Sequence, residues 1–150
     1  MKNSTMSKRV FEELKKHLDE FREQQQDILK ENVPDIMERK KIDGLFKSYV
    51  EKLENLLSNA QTSCGNDFNL PFTVIGSEVE LENLQNKCIH KIRIVLPKQN
   101  LQGSGKIMRA SCLSPMGLAM FLKKSGEAIE VNAPSGHCHY RIKSIYLPFT

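Results

Sequence analysis

The chain has 150 residues, 39% of them apolar, no Trp and a formal net charge of +4. This suffices for one compact domain, or a small domain with an extended appendage, but not for a large core. No apolar run approaches the roughly 20 residues that cross a bilayer, and Met1-Lys2-Asn3-Ser4-Thr5 lacks a signal peptide's apolar segment, so a cytoplasmic chain with no membrane partner is expected.

Residues 1–61 hold twelve Lys or Arg and twelve Asp or Glu, while residues 62–150 hold ten and six, so the second part carries the whole positive excess. Such an excess marks either a surface that meets nucleic acid or an acidic partner, or simply a solvated face. Cys64, Cys88, Cys112 and Cys138 form no C-x-x-C pair. Free thiols are therefore expected in preference to a zinc site.

Phe11, Leu14, Leu18, Phe21, Gln25, Ile28 and Asn32 recur at alternating spacings of three and four, the pattern of a heptad seam that turns polar toward its end. Ile42, Phe46, Tyr49, Leu53, Leu56 and Ala60 repeat the rhythm in a second helix, which Gly44 weakens by about 1 kcal/mol relative to Ala. Between them lies Glu31-Asn32-Val33-Pro34-Asp35. Pro34 has no N–H and drives Val33 out of the helical region, so the first helix must stop by Asn32, and Pro34 suits the start of another. Two arms of roughly 26 to 28 residues, each about 40 Å long, predict an antiparallel coiled-coil hairpin. A single kinked helix and a coiled coil between two chains are the competing arrangements. In the hairpin, Asp27, Glu31, Asp35 and Glu38 crowd the tip, where acids at a helix start also serve as ordinary caps.

Thr62 to Leu70 is turn-rich and marks a boundary. Beyond it the period changes to two. Strands are predicted at Phe72–Ile75, around Val79 and Leu81, around Ile92 to Leu96, within Lys106–Leu113, at Ala128–Asn132 and at His139–Tyr146. Ser114 caps a short helix with Pro115 at its first position, and Gly126 is expected to end it. The last two strands form a hairpin around Pro134-Ser135-Gly136. His137 and His139 alternate onto one side of that hairpin, but two ligands do not make a metal site, and a solvated edge is the expected role.

Phe72-Thr73-Val74-Ile75-Gly76-Ser77-Glu78-Val79, Ser114-Pro115, the run from Lys123 to Gly136, Tyr140-Arg141-Ile142 and Ile145 together resemble the C-terminal domain of the bacterial Gre transcript-cleavage factors. A helical hairpin followed by Leu57-Ser58-Asn59-Ala60-Gln61 is also similar to that family's order. The resemblance implies an α+β fold: a coiled-coil hairpin over 1–61, a linker over 62–70, and an FKBP-like domain over 71–150, an antiparallel sheet wrapping a short helix. It implies docking of that domain at the rim of the RNA polymerase secondary channel through Ser114, Pro115, Pro134 and Gly136. Arg93, Arg109, Arg141 and Lys143 would supply electrostatic contacts to the polymerase or to nascent RNA.

The same resemblance implies that the coiled coil enters the channel and that its tip acids help hold a magnesium ion shared with the polymerase, so that backtracked RNA is cut. The chain would then be a monomeric accessory factor with no tightly bound cofactor, and not itself an enzyme. The family's tip reads Asp-Leu-Lys-Glu-Asn, whereas Asp27-Ile28-Leu29-Lys30-Glu31-Asn32 has one residue more and continues into Val33-Pro34-Asp35. Lys30, Glu31 and Asn32 match. Asp27 falls one turn behind Glu31, about 6 Å along the axis, which makes Asp35 the preferred partner of Glu31. Two other functions are compatible with the residues: a non-cleaving regulator docked in the same way, and a prolyl isomerase. The second needs an aromatic-lined pocket, whereas Phe68, Phe72, Phe121, Tyr140, Tyr146 and Phe149 suit a small core.

Overall fold

Pro34 interrupts the helical run, so that α1 (Lys8–Asn32) and α2 (Ile36–Asn59) flank it in the computed structural model. The structure describes residues 5–63, 69–97, 107–133 and 136–147, which belong to two units, 1–67 and 68–150. Among them no helix is long and apolar enough to cross a membrane.

In the first unit, Ser7 caps α1 by accepting the Val10 N–H at 3.2 Å, and Asp35 caps α2 by accepting the Met37 N–H at 2.9 Å. The helices pack antiparallel through an aromatic cluster. The Phe21 ring meets Phe46 edge-on at 5.0 Å and Tyr49 at 5.2 Å, and His17 lies 2.6 Å from the Tyr49 hydroxyl. On α2 the buried residues are those the spacing predicts, Ile42, Phe46, Tyr49, Leu53 and Leu56, while Ala60 is the half-exposed C-cap.

The seam of α1 departs from the expectation. Val10, Leu14, Leu18, Phe21 and Leu29 are buried, followed by Val33, whereas Phe11, Ile28 and Asn32 are half-exposed. From Phe21 onward the stripe advances in steps of four, each overshooting a 3.6-residue turn. It therefore drifts around the helix until the apolar Leu29 and Val33 replace Asn32 against the partner. The arms have 25 and 24 residues, about 37 Å each at 1.5 Å per residue, slightly shorter than the spacing suggests.

At the other end of the hairpin, β1 (Thr5–Ser7) pairs in parallel with β2 (Gln61–Ser63). The sequence did not suggest this pair, because three-residue strands carry no period to read. It draws Thr62 and Ser63 out of the expected linker; residues 64–68 of that linker, Phe68 included, lie outside the described residues.

The second unit is a five-stranded sheet in the order β5-β4-β3-β7-β6, formed by β3 (Glu78–Asn83), β4 (Ile89–Val95), β5 (Met108–Ser111), β6 (Ala128–Ala133) and β7 (Gly136–Tyr146). Every pairing is antiparallel except β4 with β5. That exception corrects the wholly antiparallel expectation. The chain between Val95 and Met108 has about the dozen residues a parallel crossover requires, too many for a tight hairpin.

Phe72–Ile75 is not a strand. All four residues are buried, and their backbone is satisfied elsewhere. The Thr73 N–H donates to the Lys123 carbonyl at 2.9 Å, the Thr73 hydroxyl donates to the Met120 carbonyl, and the Val74 N–H is taken by the Ser77 hydroxyl at 3.2 Å. The segment thus takes up carbonyls at and just beyond the end of α3 (Pro115–Met120), which a helix terminus leaves open. This also explains why α3 stops well before Gly126: Phe121 turns into the core and Leu122 adopts φ +64°. Gly126, at φ +92°, shapes the turn before β6 instead.

Candidate functional site

The helical-hairpin tip is built by the break at Pro34. Asp27 and Glu31 lie on the last turns of α1 and Asp35 is the last residue of the connection, the N-cap of α2, and all three are exposed. The turn is braced from inside. The Val33 N–H bonds to the Leu29 carbonyl at 2.9 Å, the Arg39 guanidinium donates to the Val33 carbonyl at 2.9 Å, and the Asn32 amide donates to the Ile28 carbonyl at 2.8 Å. Val33 is buried beneath it. Asp35 accepts the Met37 N–H through Oδ1. Beside it Ile36 and Met37 are 66% and 75% exposed, an apolar patch next to the acids.

Among the described residues, the tip acids do not converge as a three-ligand metal set. Any cation held there would need ligands from another molecule.

The residues expected to dock the second unit have visible structural work. The Ser114 hydroxyl accepts the Gly117 N–H at 3.1 Å and donates to the Ser111 carbonyl at 2.7 Å, and Pro115 occupies the first position of α3. Gly136 opens β7 at φ +139°, opposite Ala133; Pro134 lies outside the described residues.

The basic residues are of two kinds. Arg141 and Lys143 are exposed on β7, with the Arg141 guanidinium 3.1 Å from the Gly126 carbonyl. Arg93 is half-buried and donates to the carboxylate of Glu78, its register partner across β3 and β4; Glu78 is 3% exposed and also accepts the Tyr146 hydroxyl. Its hydrogen bond to Glu78, reinforced by burial, pushes the Tyr146 hydroxyl up to about 12. Arg93 therefore serves first to neutralise a buried acid. Arg109 is half-buried opposite it on β5.

Free thiols are present at Cys88, Cys112 and Cys138, while Cys64 lies outside the described residues. Burial pushes the Cys112 thiol up to about 12, so it is an inert core group. Phe72 and Phe121 are also core residues, and Phe149 lies outside the described residues.

Sequence reading missed one group. Strand register sets Glu130 opposite His139, and Asn132 opposite His137, on one face of the β6–β7 hairpin. The only signal was the hairpin prediction itself, which implied that some β6 residue would face the histidines.

The family model described as "Transcription elongation factor, GreA/GreB, C-term" matches residues 72–147, just over half of the chain. The chain belongs to the GreA/GreB family of transcription elongation factors. It is 27% identical to transcription elongation factor GreA of Thermotoga sp. strain RQ2, over 97% of this chain and 98% of the relative. It is 34% identical to GreA of Thermosipho africanus strain TCF52B, over 72% of this chain and 66% of that one. Two solved structures also resemble this Gre-family chain: Gfh1, GreA factor homolog 1, of Thermus thermophilus (24% identity, TM-score 0.43, 97% and 99% covered) and GreA/GreB of Nitrosomonas europaea (19%, 0.46, 97% and 99%).

Proposed function

We propose that this Gre-family factor binds RNA polymerase, inserts its helical hairpin into the secondary channel and promotes cleavage of backtracked RNA, restoring elongation. The observation that carries this reading is the exposure of Asp27, Glu31 and Asp35 at one end of a braced helical pair, with the β1–β2 contact at the other. Arms about 37 Å long deliver those carboxylates far from the hairpin's own base.

The donor set fits magnesium, a hard cation that takes carboxylate oxygens and keeps several waters. Glu31 and Asp35 would supply one oxygen each, with the remaining ligands from the polymerase and the RNA. The ion would then supply Lewis-acid activation of water. This chain's residues do the positioning. Pro34 and the Arg39–Val33 bond stiffen the turn, and the cap bond orients the Asp35 carboxylate. Asp27, a turn behind, adds negative potential. The factor acts as an accessory to the polymerase's own chemistry, as a monomer. The second unit would dock through Ser114, Pro115, Pro134 and Gly136, and Arg109, Arg141 and Lys143 would add positive charge that attracts polymerase or nascent RNA.

The decisive experiment is a cleavage assay on backtracked complexes with Glu31→Gln combined with Asp35→Asn. Both substitutions keep shape and, at Asp35, capping. Cleavage should fall about 100-fold, the scale of losing charge stabilisation at a reacting centre, with polymerase affinity unchanged. Unchanged cleavage would sink the catalytic role. Charge reversal at Arg141 and Lys143 should instead weaken polymerase binding, most strongly at low salt. Arg93 is unsuitable for that test, since a carboxylate there would face the buried Glu78.

A second reading keeps the docking but omits the cleavage: the tip occupies the channel and regulates transcription without cutting. It is favoured by the commitment of Asp35 Oδ1 to the helix cap and by exposed Ile36 and Met37 beside it. Wild-type protein that binds polymerase and alters transcription without trimming RNA would establish it.

A further inference from the structure

We propose that Glu130, His137 and His139 form a site for a divalent transition-metal ion, zinc being the best match, on the exposed face of the β6–β7 hairpin. One ligand atom from each residue can be chosen so that all three lie within 4.8 Å of one another. Donors bound to one tetrahedral zinc at about 2.1 Å lie roughly 3.4 Å apart, so closing the set needs about an ångström of movement from exposed side chains. Strand pairing already orients them. His139 is directly opposite Glu130, His137 is two residues along the same strand, and the two imidazoles stand 5.0 Å apart between centroids.

Two further contacts point to a ligand. His137 Nε2 is in direct contact with the Glu130 carboxylate, so two of the three donors already meet. On the other side of the same ring, Nδ1 meets Asn132 Oδ1. An Nδ1–H donated to Asn132 leaves the Nε2 lone pair for the metal, the outer-shell arrangement that orients ligating histidines. Two imidazoles and one carboxylate suit zinc, cobalt or nickel far better than magnesium or calcium. Cys138 projects to the opposite face with Val131, so the thiol is not a fourth ligand. The fourth position is open to water or to a donor from a bound partner. An ion here would tie the edge strand β6 to β7 and would be independent of the tip acids.

The test is calorimetric titration of the full chain, freed of metal with chelator, with zinc chloride, alongside cobalt(II) absorption spectra. One ion per chain should bind at micromolar or lower concentration, cobalt should give tetrahedral visible bands, and thermal unfolding should move up with zinc. His139→Gln leaves the His137–Glu130 contact in place, so it should keep the metal-free melting temperature while weakening zinc binding at least about 100-fold. Asn132→Ala should weaken it about 10-fold. Absence of zinc binding in the wild type, or binding undiminished in His139→Gln, would overturn the proposal and leave a cross-strand ion pair only. Cys88→Ser serves as the control for the exposed thiol, and loss of the binding in that variant would equally overturn it.

Discussion

The helical hairpin and the sheet unit bury their apolar residues in different ways, and the difference explains where chemistry can be placed. The hairpin's core is one stripe, thickest at the Phe21, Phe46 and Tyr49 cluster and continued toward the turn by Leu29 and Val33. Its outer faces are solvated, so the acids of the tip can be altered without opening a cavity. The sheet unit instead draws its core from segments far apart in the chain: Phe72 to Ile75, the inner faces of the strands, Met120 and Phe121. There even Ser114, at the start of α3, holds the fold together through its bonds to Gly117 and Ser111.

The sharpest way to break this comparison is Phe46→Ala. Phe46 is fully buried, and its loss should cost about 4 kcal/mol, read as a lower denaturation midpoint in helical circular dichroism. An equal shift in a probe of the sheet would show that the two units unfold together. Next in size is Gly117→Ala, where the new Cβ would collide with the Ser111 carbonyl oxygen and lie 2.9 Å from Cys112 Cα. A cost of about 3 kcal/mol is expected, confined to the sheet unit in hydrogen-exchange measurements.

A smaller effect concerns pH. Burial lowers the His17 pKa from 6.5 to about 4, so between those values the unfolded chain binds a proton that the folded chain refuses. Hairpin stability should be flat above about pH 6.5 and decline as pH falls toward 4, by about 2 kcal/mol given the ring's partial exposure. Denaturation at pH 7 and pH 4.5 checks this. His17→Gln should remove most of the difference between the two.

At the tip, Asp35→Ala should cost about 1 kcal/mol through the lost cap, and Asp35→Asn close to nothing. If Asp35→Asn nevertheless abolishes RNA cleavage, the carboxylate's charge and its capping role are separated in one residue. The smallest expected change is favourable. Gly44 is exposed, with nothing within 4 Å of an added Cβ, so Gly44→Ala should raise hairpin stability by about 0.8 kcal/mol.

Much of the hairpin was legible because a helix repeats along its own length. The seam of α2 and the stop at Pro34 follow from residues within a few positions of one another, although Pro34 does not open α2 as expected but precedes its cap, Asp35. The seam of α1 differs from its spacing at the start, where Val10 rather than Phe11 is buried, and again beyond Phe21, since whether the stripe follows Ile28 and Asn32 or Leu29 and Val33 depends on the helix it meets. In the sheet unit the alternation around Val79, Ile92, Ile129 and Ile142 was readable, whereas the uninterrupted apolar run Phe72–Ile75 looked like a strand. Periodicity cannot tell a buried strand from a buried irregular segment.

By itself, then, the sequence determined the two-part α+β organisation, the position of the turn and the crowding of acids at its tip, because proline chemistry and helical spacing act locally. Only the tertiary structure decided that β5 runs parallel to β4, that Thr73 takes up the end of α3, that Arg93 answers Glu78, and that Glu130 stands beside His137 and His139. Each of these is a pairing between segments distant in the chain, set by register and by the need to satisfy buried polar groups.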